Sequence, residues 1–372
     1  MQAGDSSVGA AAVADIGGLL MPAAVSPADC AGSREQLAIA EASAIVSLAS
    51  RAPSVHNSQP WSFRVRDDVL EVLADTSRQL HLLDPQGREM LISCGAAILG
   101  ARLGMRSRGL VPLVRLRPKP EQPQLVAELV PAGRASLTRV EAEMIAALPH
   151  RHSHRGDFLP EPVAPRLVSA LCTDAVAEGC ELLLVASPEL VSDLGRIVSK
   201  AAASQQARPQ LQSELARWLR APGDRARDGI PADARARHEP RDQIPGPRSL
   251  PGHGPWSSLV PDSRLPGRSF PLTSVELADC DYAAVTAVLV TSGDTPVHWL
   301  RAGQALHRLL LRAAARWVFA ALQSEPLEIP RYRREVRSLL ALDGYPQMLL
   351  QFGRANVTRP TPRRDVAELL VR

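Results

Sequence analysis

The sequence predicts an α+β fold made of two related halves, each a central sheet packed by helices. Three observations carry that reading. Runs of strand length come in pairs with turn residues between them. Two long segments, one in each half, are nearly all apolar and read as helices buried in the middle of the molecule. Those segments also resemble each other: "SCGAAILGARLGMRSRG" and "RAGQALHRLLLRAAARW" align at an offset of 208 residues, Gly95 on Gly303. Similarity at half the chain length points to an internal repeat. The competing reading is that two buried helices look alike by composition alone.

Residues 1–35 are rich in Ala, Gly and Ser, with no Lys or Arg before Arg34, and read as a disordered tail rather than a secretory signal. Met21 is a second candidate start. The first half covers 36–135. Its opening helix begins near Gln36, places Leu37, Ile45, Leu48 and Ala49 near one face, and ends before Pro53. "WSFRVRDD" and "VLEVLAD" follow as a strand pair, then a helix from Leu91 to Arg108 closed by Gly109. Strands "LVRLRP" and "QLVAELVP" complete it.

The second half, 136–372, opens with a helix over Thr138–Leu148 and passes through "HRHSHRGDF". A helix near Ala164–Leu171, strand "ELLLVAS" and helices over Pro188–Ser204 and Gln210–Arg220 come next. From 221 to 271 the chain is dense in Pro, Gly and Arg, which predicts a functional insert or lid, with Trp256 or Phe270 as an apolar plug. Strand "AAVTAVLVT", a helix over Val297–Leu322, a helix near Arg331–Leu340 and strand "QMLLQFG" close the pattern.

Composition narrows the function classes. The 372 residues are 45% hydrophobic and 22% charged, ordinary for a globular protein with a real core. No run of eighteen apolar residues exists, so no membrane span is expected. The net charge of +4 is spread along the chain with acidic residues mixed in, and Lys119 and Lys200 are the sole lysines among 43 basic residues. A nucleic-acid footprint needs clustering that is not there. Five dispersed cysteines without a CxxC pair read as reduced thiols of a cytoplasmic protein.

Two polar stretches stand out. "RAPSVHNSQPW" (Arg51 to Trp61) puts Ser, His, Asn and Gln directly behind a helix. By itself it can be a proline-ended cap whose Asn and Ser satisfy local backbone groups. In "RHSHR", Arg151, Ser153 and Arg155 alternate, so an extended backbone would turn them to one side, suiting a phosphate. His150, His152 and His154 offer a metal reading, but no carboxylate or cysteine completes the set. A solvated basic loop is the third reading.

Together these motifs resemble the FMN-dependent nitroreductase family. Pro53, Ser54, Asn57, Gln59, Pro60 and Trp61 match its PSxxNxQPW signature, and Arg151, Ser153 and Arg155 its RxSxR element. "LQSEPLEIP" resembles its PxE segment through Pro326, Leu327 and Glu328, with Ile329 where the family has glycine; the tail Arg363 and Arg364 resemble its terminal basic element. The resemblance implies an FMN whose ring meets Pro53, Ser54, Val55, His56, Asn57 and Gln59 from one side. It implies backbone approach from Pro326, Leu327 and Glu328, and a phosphate held by Arg151, Ser153, Arg155, Arg363 and Arg364.

The motif order, with the QPW loop in one half and the rest in the other, resembles the family's Acg-type branch, in which one chain mimics the family homodimer. That implies a monomer with one FMN at the seam, no metal, and no essential side-chain nucleophile or base, the flavin carrying the chemistry. NAD(P)H would be the reductant and a nitroaromatic or quinone-like small molecule the acceptor. The alternative within the branch is a lidded protein that sequesters FMN with little turnover. Oxidative breakdown of reduced flavin is a third possibility.

Overall fold

The computed structural model describes residues 39–231, 284–355 and 361–371. The N-terminal tail and residues 232–271 of the predicted insert, with Trp256 and Phe270, lie outside them. Among the described residues no helix is long and apolar enough to cross a membrane.

Helix α1 (Ile39–Ala49) leads into strands β1 (Trp61–Arg66) and β2 (Val69–Ala74), helix α2 (Arg88–Ser107), and strands β3 (Leu110–Leu116) and β4 (Leu125–Arg134). These strands form an antiparallel sheet in the order β1-β2-β4-β3. After α3 (Arg139–Ala147), which starts on a capping box of Thr138 and Glu141, come α4 (Pro165–Ala177) and β5 (Glu181–Val185). Helices α5 (Pro188–Gln206) and α6 (Pro209–Ala216) precede two short strands, β6 (Leu219–Arg220) and β7 (Ile230–Pro231). The chain then returns as β8 (Ala284–Thr291), α7 (Pro296–Ala314), β9 (Val318–Gln323), α8 (Glu325–Glu328), α9 (Pro330–Leu339), β10 (Tyr345–Arg354) and α10 (Val366–Leu369). The second antiparallel sheet runs β5-β8-β10-β9. Both sheets therefore share one pattern: a helix and two strands, a long helix, then two more strands whose last member lies inside.

The long helices α2 and α7 carry the main core. Cys94, Ala97, Ile98 and Ala101 of α2 share one apolar cluster with Leu300, Ala302, Leu306 and Leu309 of α7, and that cluster takes in strands of both sheets. They cross at the two glycines that the sequence aligned. A Cβ on Gly95 would stand 3.0 Å from Gly303 Cα, and one on Gly303 would stand 2.8 Å from Gly95 Cα and collide with the Ile92 carbonyl. Only glycine allows backbones to meet this closely.

One element differs from expectation. The sequence predicts a single helix over Val297–Leu322; the structure ends it at Ala314 and begins strand β9 at Val318. Trp317, at φ 57°, takes the left-handed conformation that terminates a helix, a place usually held by glycine. The following "VFAALQ" lacks alternation because β9 is buried along most of its length, so period alone could not separate helix from strand. The predicted helix over Gln210–Arg220 likewise stops at Ala216, and its last residues pair as β6 with β7.

Candidate functional site

The loop behind α1 is held in a conformation that side chains rarely adopt. His56, Asn57 and Gln59 all have φ near +50°, which costs free energy at each non-glycine residue and persists only where the surroundings enforce it. Those surroundings are identifiable. Asn57 Nδ2 donates to the carbonyls of Gly229 (3.0 Å) and Pro362 (3.1 Å), while its Oδ1 accepts from Arg363 Nη1 at 3.0 Å. Gln59 Nε2 donates to Arg227 O at 2.8 Å, and its Oε1 accepts from the Arg364 amide at 2.9 Å. Both amides are thus filled by protein partners: they bind the loop to the segment before β7 and to the C-terminal tail.

The rest of the loop is fixed from below. Ser54 Oγ accepts from the Gln59 amide at 3.0 Å, and the Val55 amide donates to Ser93 Oγ on α2 at 3.2 Å. Pro53 is buried, whereas Ser54, Val55 and His56 keep part of their surface open.

Beside the loop lies a cluster of basic side chains, two arginines and a histidine. Arg151 is 5% exposed and His307, on α7, is 0% exposed. Arg151 Nη2 and Arg363 Nη2 both point at the Arg51 carbonyl, at 3.5 and 3.4 Å, so one oxygen at the end of α1 gathers two guanidinium groups from distant parts of the chain. The Nε and Nη1 atoms of Arg151, Nε of Arg363 and Nε2 of His307 are buried without a hydrogen-bond partner. Neither arginine forms an ion pair with a described carboxylate.

Burial alone drives the Arg151 pKa down to about 10. That of Arg363 is also held well below its ordinary value, by burial and then by the charges of Arg151 and Arg51. Burial also pushes His307 down to about 3, assisted by Arg151 and Arg363 and opposed by its hydrogen bond to Ala96 O. Uncompensated buried cations are expensive. By charge and unpartnered donors, such a cluster, a cradle of basic side chains, is chemically able to accept an anion.

Carboxylates gather near the α2 N-terminus. Glu328 on α8 is raised to about 8 by burial and then by Glu89 and Glu325, while Gln205 donates to it at 2.5 Å. Burial raises Glu89 as well, against the pull of the adjoining Arg88. One turn links this end to the loop, since Ser93 Oγ donates to Glu89 O at 2.8 Å.

No family model matches the chain. A "putative NAD(P)H nitroreductase" of Mycobacterium tuberculosis is 32% identical over 333 residues, covering 88% of this chain and 90% of the relative. The chain belongs to the NAD(P)H nitroreductase family. An uncharacterized protein of the same organism is 29% identical over 336 residues (87% and 91%), and the "putative NAD(P)H nitroreductase acg" 26% identical over 336 residues (87% and 93%).

Within this nitroreductase chain the remaining motif residues fall as follows. Ser153 is bridged to Ala320 of β9, with the His154 amide donating to Ala320 O at 2.8 Å; Arg155 is exposed. The histidines pack on aromatic rings: His150 on Trp317, His152 on Phe319, His154 on Phe158. Pro326 and Leu327 are buried in α8. Arg364 donates to the Gln59 and Trp61 carbonyls at 3.3 and 3.4 Å and meets Glu368, so it ties the tail to β1. Sequence reasoning missed His307, Ser93 and Glu89; it placed Arg227–Gly229 in the predicted insert but not against Asn57 and Gln59. The one available signal was a lone histidine inside the apolar "ALHRLLL", which reads equally well as a core residue.

Proposed function

We propose that the chain is an FMN-dependent oxidoreductase of nitroreductase type. It takes electrons from NAD(P)H and passes them to a nitroaromatic or quinone-like small molecule, with one FMN per chain between two related halves. The observation that carries this is the pair Arg151 and Arg363, in which Nε and Nη1 of Arg151 and Nε of Arg363 are buried without partners and which suits a phosphate monoester by charge and donor type. Bound FMN would supply the reversible acceptance of a hydride equivalent.

The chain's residues do the holding. Arg151 and Arg363 would take the phosphate. Ser54 and Val55 would line the ring from the loop, Ser153 from the strand edge, and the α8 segment Pro326–Glu328 from the far side. Asn57, Gln59 and Arg364 act one step back, fixing loop and tail. The repeated strand order and the Gly95–Gly303 crossing support reading the chain as a fused pair of subunits, and with it as a monomer.

One observation favours a second reading, a flavin-sequestering protein. The start of the insert is hydrogen-bonded onto the loop through Gln59–Arg227 and Asn57–Gly229, which places that segment where it could restrict access to the ring. Flavin content and anaerobic mixing with NADPH separate the two. The enzyme binds one FMN per chain and bleaches with NADPH; a holder binds one and stays oxidised. No FMN after reconstitution, or two per chain, would overturn the proposal.

A further inference from the structure

His307 has no counterpart among the motif residues, yet it sits with them. Its Nδ1 lies 2.7 Å from the Ala96 carbonyl of α2. A carbonyl only accepts, so Nδ1 carries the hydrogen and the neutral ring presents a bare lone pair at Nε2. That atom is buried and unpartnered, as are Nε and Nη1 of Arg151 and Nε of Arg363. No described carboxylate enters the electrostatic surroundings of His307; the charged groups that face it are Arg151 and Arg363 alone. A neutral Nε2 cannot donate to an anion, whereas a protonated one can, and Ala96 O already stabilises the N–H on the opposite side.

We infer that His307 is a proton-linked member of the cradle: neutral while the cradle is empty, and protonated, with Nε2–H turned to the anion, when a phosphate monoester dianion sits with Arg151 and Arg363. The proton comes from solvent and is released when the anion leaves; no bond to phosphorus changes. Burial first, and then the two guanidinium charges, hold the empty-state imidazole down to about 3; the dianion offsets those charges and, by accepting from Nε2–H, favours the protonated ring. This rests on reading the cradle as a phosphate site. It adds a pH-dependent term to binding that two arginines alone would not give.

The sign is decisive. Free FMN gains a proton on its phosphate near pH 6, so with arginines alone affinity is flat from pH 8 towards 6 and then weakens. With His307 taking up a proton on binding, affinity instead rises as pH falls from 8 to 6, by up to about tenfold per pH unit.

Titration calorimetry of FMN into the flavin-free protein at pH 6.5, in two buffers of different ionisation enthalpy, reads the uptake directly. Riboflavin, which lacks the phosphate, is the control ligand. The wild type should take up a substantial fraction of a proton with FMN and none with riboflavin. His307→Asn keeps a donor for Ala96 O but cannot become cationic, so it should bind FMN with little uptake and a flat profile from pH 8 to 6. Should that variant fail to fold, the wild-type pH profile alone decides. FMN binding with no uptake, or with the same uptake in the variant, overturns the role of His307 and leaves the phosphate site standing. No FMN binding, or riboflavin binding as tightly as FMN, overturns both.

Discussion

Arg102, Arg308 and Arg312 are surrounded by carboxylates; Arg151 and Arg363 are not. The first group joins α2 and α7 to the end of α4. Glu178 takes Arg102 at 2.6 Å and Arg308 at 3.0 Å, while Asp174 takes Arg308 at 2.9 Å and Arg312 at 3.3 Å. The second group is gathered by uncharged acceptors: backbone carbonyls for both arginines and, for Arg363, the Asn57 and Thr361 side chains as well. Burial lowers Arg151, yet the carboxylates raise Arg308 above its ordinary value despite its own burial. A guanidinium whose charge is balanced inside the protein is structural; one whose charge is not balanced has donors to offer an anion from outside.

The comparison breaks most visibly at Glu178. Replacing it by Gln removes the charge partner of two arginines at once and should lower unfolding free energy by about 3 kcal/mol. Urea denaturation measures that, and FMN affinity should not move. A loss under about 0.5 kcal/mol would mean that the network is no more than a surface ion pair.

Arg151→Gln should behave in the opposite way. FMN affinity should fall by roughly 10- to 100-fold, since a charge-assisted hydrogen bond is worth about 1.5–3 kcal/mol. The flavin-free protein should keep or raise its unfolding midpoint, because an uncompensated buried cation is gone. Unchanged FMN affinity sinks the cradle, and a midpoint drop as large as that of Glu178→Gln erases the contrast.

The same distinction explains how much was legible beforehand. Strand pairs, both long helices and the QPW loop follow from local pattern, so α2 and β1 to β4 appear where the sequence puts them. Strand β9 does not, although the repeat held the information. Carrying the 208-residue offset past the glycine crossing sets Gly109 on Trp317 and Leu110 on Val318, the cap and the first strand residue in each copy. The bulky Trp317 in a position that glycine usually fills hid the helix end. The site was legible as residue types and not as an arrangement. Nothing local tells that the amides of Asn57 and Gln59 are consumed by the tail and by Arg227–Gly229, that Arg151 meets Arg363 over the Arg51 carbonyl, or that His307 joins them. Those are tertiary facts that depend on which chain segments the sheets bring together.

The smallest expected effect tests the carboxylate end. Glu328 is raised above its ordinary value by burial and by Glu89 and Glu325, so it is the cradle's inverse: an acid kept neutral where the cradle keeps cations unpaired. In the unfolded chain the carboxyl loses its proton near pH 4.5, while the folded chain keeps it to about pH 8. The folded state therefore binds more protons in that window. Its stability is fully present below the lower value and falls as pH rises through the window. Glu328→Gln removes the titration while keeping a partner for Gln205. The variant should match the wild type near pH 4.5 and exceed it at pH 8 by about 1–2 kcal/mol, a figure kept low because the side chain is only partly buried. Urea midpoints at the two pH values give the answer. Some slope should survive in the variant, since Glu89, Glu325 and Asp84 are raised by burial too. Equal slopes in both proteins would show that Glu328 is ionised at neutral pH, with Gln205 and water carrying its charge.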